Sequence, residues 1–141
     1  MISENGLPDP VLALQRTTHH TLHALSTSLA DLGLTAAEIN ALANLSGRGA
    51  LSVSQLSAQT GTKPSTLTNV LDRLERRGYL SREVDAQDRR SFRLALTESG
   101  TVAAHRVGTA VADLQSRALA DLSADQLAGF HAVMTALQEA C

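Results

Sequence analysis

One stretch of this sequence decides the fold: Lys63-Pro64-Ser65-Thr66-Leu67-Thr68-Asn69-Val70-Leu71-Asp72-Arg73-Leu74-Glu75-Arg76-Arg77-Gly78. Its apolar residues recur at i, i+3, i+4 and i+7, which places Leu67, Val70, Leu71 and Leu74 on one face of a helix. Pro64 suits the first turn of a helix, and Gly78 suits the position just beyond its end. The stretch therefore predicts an amphipathic helix over residues 63 to 77.

The other side of this helix carries short polar side chains near its start. They are Ser65, Thr66, Thr68 and Asn69. Such groups can hydrogen-bond to base edges or phosphates when the start of a helix enters a major groove. Further along, the helix gains positive charge from Arg73, Arg76 and Arg77. This combination indicates a DNA recognition helix, although an ordinary solvated helix face has similar residues, so the neighbouring sequence has to decide.

Length and composition limit the class of protein. With 141 residues, of which 43% are hydrophobic and 18% charged, the chain is long enough for one globular domain with a real core. Leucine and alanine dominate and aromatic residues are scarce, which favours helices. We expect a cytoplasmic protein with no membrane partner, because the sequence shows neither a long apolar run nor a secretion signal. The single Cys141 cannot form an internal disulfide and lacks metal-ligand spacing.

Charge is unevenly distributed along the chain. The formal net charge is −2, but residues 63 to 93 hold eight Lys or Arg against five acidic residues. The remainder holds four basic and nine acidic residues. This segregation indicates a basic face on an acidic body, which is typical of a protein that binds nucleic acid.

Two helices are expected in the first third of the chain. Leucines spaced at helical period predict one from Val11 to Leu32, which Gly33 ends. The second begins at a capping box, Thr35-Ala36-Ala37-Glu38, in which Thr35 accepts from a first-turn amide and Glu38 reaches back. We expect it to continue to about Leu45.

A third, short helix precedes the polar helix. Ser52-Val53-Ser54-Gln55 is another capping-box pattern, and Gly61 ends the helix that it starts. Two helices joined across residues 60 to 62, the second with polar residues at its start, predict a helix-turn-helix.

A β-hairpin is expected after the polar helix. The segments 79 to 84 and 91 to 96 read as strands, joined by the polar turn Asp85-Ala86-Gln87-Asp88-Arg89-Arg90. A hairpin with a basic tip beside a recognition helix is a wing. An arginine at its tip can enter a narrow minor groove, where the negative potential is enhanced.

Two amphipathic helices close the chain. Thr97 is suited to cap a long helix, and Ser123-Ala124-Asp125-Gln126 opens a last one. Apolar seams at both ends of the chain lack a partner within a small winged domain, so we expect them to pack against a second copy. The predicted fold is mainly α with a small β-hairpin wing, a winged helix-turn-helix with N- and C-terminal dimerisation helices.

At this point the sequence resembles the MarR family of bacterial transcription regulators. The resemblance lies in the run Thr-Leu-Thr-x-x-Leu-x-x-Leu-Glu-x-x-Gly from Thr66 to Gly78, the wing residues Asp88-Arg89-Arg90 and the Leu96-Thr97-x-x-Gly100 exit. It implies a homodimer that binds double-stranded DNA at an inverted repeat, and often a repressor released by a small ligand. It also implies one compact domain per protomer with three parts. These are an N-terminal arm and dimerisation helix (1 to 34), a DNA-binding region (35 to 100) and C-terminal dimerisation helices (101 to 141).

The resemblance also implies roles for individual residues. The candidate DNA-binding residues are Ser52, Ser54, Thr62, Lys63, Pro64, Ser65, Thr66, Thr68, Asn69, Arg73, Arg82, Asp88, Arg89 and Arg90. Arg90 would enter the minor groove, and Asp88 would either orient it through an ion pair or simply form the turn. Arg73 and Arg82 would contact phosphates or tie the wing to the helix.

Regulation is less well defined by the sequence. His19 and His23 share a helix face at i, i+4, a spacing that can hold zinc or line a ligand pocket. Further zinc ligands are candidates by type alone: His105, His131, Asp113 and Cys141. No cofactor is expected. A metal-responsive regulator and a winged-helix module that binds protein instead of DNA remain alternatives, whereas no catalytic constellation occurs at a usable spacing, so we expect no enzyme.

Overall fold

The computed structural model describes residue 2 and residues 4–141, and it is built mainly from helices. In chain order the elements are α1 (Pro10–Ser28), a 3-10 turn (Ala30–Leu32), α2 (Ala36–Leu45), β1 (Leu51–Ser52), α3 (Val53–Thr60), α4 (Pro64–Arg76), β2 (Leu80–Val84), β3 (Phe92–Leu96), α5 (Glu98–Leu119) and α6 (Ala124–Ala140). The chain divides into two compact units, the first ending at Val111 and the second beginning at Ala112. The predicted fold class is confirmed, and every candidate DNA-binding residue belongs to the first unit.

Leucine-rich faces of α2, α3 and α4 form the core of the first unit. The predicted stripe of α4 is at most 2% exposed at all four positions, Leu67, Val70, Leu71 and Leu74. Leu42 of α2 and Leu56 of α3 are fully buried in the same cluster. Because burying one leucine side chain contributes about 1.5–3 kcal/mol, these contacts hold α4 firmly on α2 and α3.

The helix-turn-helix has well-defined ends. The hydroxyl of Ser52 accepts a hydrogen bond from the Gln55 amide at 3.0 Å, and the Gln55 side chain accepts from the Ser52 amide at 2.9 Å. This is the predicted capping box at the start of α3. Gly61 follows α3 with φ +69, a left-handed conformation that favours glycine. The Ser57 hydroxyl then donates to the carbonyl of Thr62 at 2.6 Å and closes the turn that leads into α4.

A three-stranded antiparallel sheet in the order β1-β3-β2 supports the wing. The hairpin of β2 and β3 confirms the two predicted strands, with Leu80 opposite Leu96 and Val84 opposite Phe92. The short strand β1 was not predicted. It places Leu51 opposite Leu94, a residue that is completely buried, so the sheet is continuous with the helical core.

The end of α4 is bonded to the start of α5. Gly78 lies just beyond α4 with φ +77, and the amide of Tyr79 donates to the carbonyl of Leu74 at 3.0 Å, which forms a Schellman motif. The Gly78 carbonyl accepts hydrogen bonds from the hydroxyls of Thr97, at 2.5 Å, and Ser99, at 2.9 Å. The hairpin therefore leaves the core and returns to it at the same place.

Gly100 makes this junction possible. The Thr97 hydroxyl caps α5 as predicted, because it accepts from the Gly100 amide at 3.0 Å. A Cβ atom at Gly100 would lie 1.8 Å from the carbonyl oxygen of Tyr79, a distance that no side chain tolerates. The glycine in the Leu96-Thr97-x-x-Gly100 exit is thus required by close backbone approach.

The predicted first helix is interrupted near its end. α1 ends at Ser28, and the chain continues through the 3-10 turn to Gly33, which has φ +61. Asp31 in this turn forms a two-pronged ion pair with Arg106 of α5, with distances of 2.6 Å and 2.9 Å. The hydrogen bonds from Arg106 lower the pKa of Asp31 against the opposing effect of desolvation, and the same contact raises the pKa of Arg106.

Helix α6, in the second unit, begins at the predicted capping box between Ser123 and Gln126. Neither α6 nor α1 contains a buried residue. Large apolar side chains are instead exposed on them, including Val11 (48%), Leu12 (42%), Phe130 (54%) and Val133 (46%). Among the helices that the structure describes, none is both long and apolar enough to cross a membrane.

Candidate nucleic-acid interface

The start of α4 presents unpaired polar groups to solvent. Ser65, Thr66 and Asn69 are exposed, and within the described residues their side chains make no hydrogen bond. Thr68 differs, because its hydroxyl donates to the Pro64 carbonyl of its own helix at 2.9 Å. The three free side chains line an open groove of about 350 Å³ together with Ala37, Val70 and Arg73. The structure therefore brings most of the predicted reading face together at one concave surface.

The backbone at this helix start favours an anion. Lys63 is the N-cap residue in extended conformation and makes no side-chain capping bond, and Pro64 occupies the first helical position. The first amides of a helix have no partner within the helix, and the helix dipole concentrates positive charge there. Exposed Lys63 adds a full positive charge. These features suit a phosphate group at the edge of a major groove.

The other predicted residues of the helix-turn-helix differ in how available their side chains are to a partner. Ser54 is exposed on α3, where its hydroxyl is free among the described residues. Ser52, in contrast, uses its hydroxyl oxygen in the capping box of α3. Thr62 is half-buried in the turn and contributes its carbonyl to the bond with Ser57. Of these three, Ser54 has the side chain most available to a partner.

Two of the predicted arginines are engaged within the protein. Arg82 on β2 forms ion pairs with Asp72 at 2.5 Å and Glu75 at 3.2 Å, and so ties the wing to α4. Arg73 pairs with Glu38 of α2 at 3.1 Å, so it ties α4 to α2 and does not reach the wing. For both residues the sequence allows either phosphate contact or tying, and in this structure both arginines tie elements together.

The wing tip carries the free positive charges. Arg89 and Arg90 are exposed, and neither forms an ion pair with any described residue. Asp88 does not pair with Arg90 through its guanidinium, contrary to the role that the family resemblance implied. Its carboxylate accepts the Arg90 amide at 3.1 Å, and its carbonyl accepts the Ser91 amide at 3.1 Å. Asp88 therefore has the alternative role of a turn-forming aspartate, because a short carboxylate readily bonds backbone two residues on.

Glu38 is a residue whose importance the sequence analysis missed. It was expected to reach back to the backbone of Thr35, and half of that capping pattern is present: the Thr35 hydroxyl accepts from the Glu38 amide at 3.2 Å. The Glu38 carboxylate, however, is only 1% exposed and pairs with arginines of α4. The sequence held a signal for this, since Glu38 precedes Leu42 and Leu45 by four and seven residues and so lies on the buried stripe of α2.

The histidine cluster is not organised as a metal site. His19, His20 and His23 are all exposed on α1. Within the described residues, no group of three or more His, Cys, Asp or Glu side chains is arranged to hold a metal ion. The additional ligands considered from the sequence are therefore not gathered around His19 and His23. Cys141 is an exposed free thiol.

The fold and this surface define a class of protein. A helix-turn-helix whose second helix is exposed and polar at its start, followed by a hairpin with a basic tip, is a winged helix-turn-helix, an architecture of DNA-binding proteins. The MarR family model matches residues 34–92 of the chain.

Individual proteins are similar to the chain as well. HTH-type transcriptional repressor MdtR of Bacillus subtilis (strain 168) is 32% identical over 101 residues, which cover 72% of this chain and 65% of MdtR. The PcaV transcriptional regulator from Streptomyces coelicolor, solved in complex with its natural ligand, is 29% identical with a TM-score of 0.73, and the match covers 92% of this chain and 90% of that one. S. aureus MepR in DNA-binding conformation shares the fold at a TM-score of 0.84 and 20% identity, over 94% of this chain and 98% of that one.

Over residues 34–92 the chain matches the MarR family of transcriptional regulators. The family resemblance seen in the sequence is thereby confirmed, and the relatives are regulators, not enzymes. The chain matches less than two thirds of MdtR's own length.

Proposed function

We propose that this chain is a homodimeric, sequence-specific DNA-binding regulator that represses transcription from an inverted-repeat operator. The main support for the proposal is that the polar side chains at the start of α4 and on the wing have no partner within the described residues. Ser65, Thr66 and Asn69 at the start of α4 and Arg89 and Arg90 on the wing are exposed without partners among the described residues. Other arginines of the same region are held in ion pairs. The free groups are therefore available for a ligand that combines base edges and phosphates.

The two free clusters suit different parts of a duplex. The start of α4 would enter the major groove, where Thr66 and Asn69 read base edges and Lys63 contacts a phosphate. The wing, residues 85 to 90, would lie along the adjacent minor groove with Arg90 inserted into it. Ser54 of α3 would contact the backbone beside α4, as the first helix of such a motif commonly does.

The outer helices supply the dimer contacts in this proposal. Apolar side chains exposed on α1 and α6 form surfaces that a monomer would leave in water, and a second copy is the occupant that the operator symmetry requires. Residues 1 to 34 and 101 to 141 would then serve dimerisation, and residues 35 to 100 DNA binding. Two-fold symmetry would place the two α4 helices about 34 Å apart, one turn of the duplex.

Repression and its release are proposed from the relatives. MdtR is named as a repressor, and PcaV was solved with a natural ligand. A small-molecule effector that lowers DNA affinity is consistent with both. His19 and His23, exposed on α1, remain predicted pocket residues, whereas a metal-responsive version has no ligand cluster to support it among the described residues.

Selection of binding sites from a random duplex pool tests the proposal directly. The purified protein, in moderate salt, should enrich an inverted repeat with half-site centres about one helical turn apart. Absence of any enriched sequence would contradict the proposal and favour the remaining alternative, a winged-helix module that binds protein.

Variants at the two clusters test how the site is read. Arg90→Ala should weaken binding to all sequences and lower the slope of log affinity against log salt by about one unit. Thr66→Ala or Asn69→Ala should instead change the preferred base at one position of each half-site. Arg48→Ala, which removes an exposed arginine between α2 and β1 that is not a candidate DNA-binding residue, is the matched control and should leave affinity unchanged. Normal binding by Arg90→Ala would remove the wing from the mechanism.

A further inference from the structure

Glu38 is the buried charged residue of the described chain. Its Oε1 lies 3.1 Å from Nε of Arg73, and its Oε2 lies 3.3 Å from Nε of Arg77. The hydroxyl of Thr35 donates a third contact to Oε1 at 3.2 Å. Oε1 is thus hydrogen-bonded by Arg73 and Thr35, whereas the buried Oε2 faces Arg77 as an ion pair without a hydrogen bond.

The network continues to the end of the N-terminal helical segment. Arg77 donates to the carbonyl of Leu32 at 2.9 Å and to the carbonyl of Gly33 at 2.6 Å. Arg77 therefore joins the last turn of α4 to the 3-10 turn that follows α1, and Glu38 joins both to the start of α2. The 3-10 turn and α2, which are neighbours in sequence, are thus both joined to the end of α4 through Arg77 and Glu38.

A buried carboxylate is a poor way to gain stability. Removing a carboxylate from water is costly, and apolar residues of similar volume usually stabilise a core at least as well, while Arg73 and Arg77 themselves stay partly exposed. What an ion pair adds is geometry, because a guanidinium with several donors accepts few arrangements around a carboxylate. Leucine packing holds α4 against α2 and α3, and the contact with Glu38 adds a directional constraint on the roll of α4 about its axis, because Nε of Arg73 must stay directed at the carboxylate.

The constrained face of α4 is the one proposed to read DNA. Thr66, Asn69 and Arg73 are spaced by three and four residues, so they lie in one row along the helix, and all three line the same groove. Fixing Arg73 at one end of this row fixes the direction in which Thr66 and Asn69 project. A small rotation of α4 would move both away from a base edge, because hydrogen bonds weaken steeply with distance and angle.

We propose that Glu38 is a positioning residue that sets the roll of the recognition helix through Arg73 and Arg77, and thereby determines sequence discrimination. The inference rests on the proposed DNA-binding function. Glu38 itself touches no DNA in this account, and it acts through the two arginines. Discrimination is defined here as the ratio of affinity for the selected operator to affinity for a random duplex.

The experiment compares Glu38→Gln with the wild type. The substitution keeps the shape of the side chain and removes its charge. Discrimination should fall about tenfold, the size of one lost base contact, with an unchanged salt slope because no phosphate contact is lost. A merely structural role would lower the folded fraction, and so reduce specific and non-specific binding together. Glu98→Gln, the same substitution at an exposed glutamate in the first turn of α5, is the control and should leave discrimination unchanged.

Two further outcomes decide the matter. If the wild type selects no operator, the proposed function fails first and the role of Glu38 fails with it. If the wild type discriminates and folded Glu38→Gln discriminates equally well, the proposed function stands and the role of Glu38 is overturned. Should Glu38→Gln fail to fold, Arg77→Met decides, since it removes both the charge beside Glu38 and the bonds to the Leu32 and Gly33 carbonyls. Unchanged discrimination in Arg77→Met would then overturn the proposal.

Discussion

Replacing Gly100 by alanine should destabilise the protein strongly, even though alanine is the better helix former. The new Cβ atom would lie 1.8 Å from the carbonyl oxygen of Tyr79, 2.7 Å from its carbonyl carbon and 3.0 Å from its Cα. Since such contacts are not tolerated below 3.0 Å, the helix and the Tyr79 backbone must separate by about 1.2 Å. That movement would disturb the hydrogen bond from the Thr97 amide to the Tyr79 carbonyl, now 3.1 Å long.

The loss of stability in Gly100→Ala can be estimated from the clash with the Tyr79 backbone. Overpacking of a well-packed site costs about 1–3 kcal/mol. Gly100→Ala should lie near the upper value, because the clashing atom is a backbone carbonyl oxygen that already accepts a hydrogen bond from the Thr97 amide. At about 4 °C for each kcal/mol in a chain of this length, the loss of about 3 kcal/mol lowers Tm by about 12 °C. Thermal unfolding followed by circular dichroism measures this directly.

Gly108→Ala is the matched control, because it makes the same change in the same helix. Its Cβ would lie 3.6 Å from the Ser46 hydroxyl oxygen, an ordinary contact. This variant should gain up to about 1 kcal/mol from the helix propensity of alanine. The reasoning would be refuted if Gly100→Ala melted at the temperature of the wild type, or if the two variants lost stability equally.

Three other predictions concern stability. Leu56→Ala, at a fully buried position, should cost about 2–5 kcal/mol in urea unfolding, and a cost below about 1 kcal/mol would contradict the packing of α3 described above. Gly78→Ala, at φ +77, should cost about 1–2 kcal/mol, with the midpoint of urea unfolding as readout and exposed Gly129→Ala, within α6, as control. The pKa of Asp31 is lowered from 3.8, so its contribution is complete above pH 3.8 and is lost as pH falls through the folded-state pKa. Asp31→Asn should therefore melt below the wild type at about pH 6 and converge with it once pH falls below the folded-state pKa, and a constant difference would contradict this assignment.

Much of the fold could be predicted from the sequence because its signals are local. The stripe of α4, the capping boxes at Ser52 and Ser123, and the left-handed glycines Gly61 and Gly78 all act within a few residues. Local patterns of this kind determine where helices begin and end whatever the rest of the chain does.

The features that could not be predicted from the sequence depend on partners that are distant along the chain. Glu38 and Arg73 are 35 residues apart, so the place of Glu38 on the apolar stripe of α2 could indicate burial but not the partner that neutralises its carboxylate. Strand β1 has only two residues and exists because it pairs with β3, so no alternating pattern could reveal it. The ion pair expected between Asp88 and Arg90 failed for the opposite reason, because a backbone hydrogen bond only two residues away competes for the same carboxylate.

For the interface, the sequence likewise predicted which residues are basic or polar, but not which of them are free of partners within the protein. Sequence spacing places Arg73, Arg82 and Arg90 alike among the basic residues of one region. Only the three-dimensional arrangement separates Arg73 and Arg82, which are held by carboxylates, from Arg90, which is not. That distinction decides which substitution should change DNA affinity directly and which should act through the fold.

The closure of the hairpin at its base has a consequence for how such proteins diversify. The chain leaves at Gly78 and returns at Thr97, and these two residues are hydrogen-bonded to each other. A change in the turn between Asp85 and Ser91 should therefore leave the packing of the helices unchanged. Lengthening an open loop is also cheap, at about 0.6 kcal/mol for each doubling. Insertions between Asp85 and Ser91 should consequently lengthen the reach of the wing along a duplex while the melting temperature stays nearly constant, which makes this tip a place where target choice can change without refolding the protein.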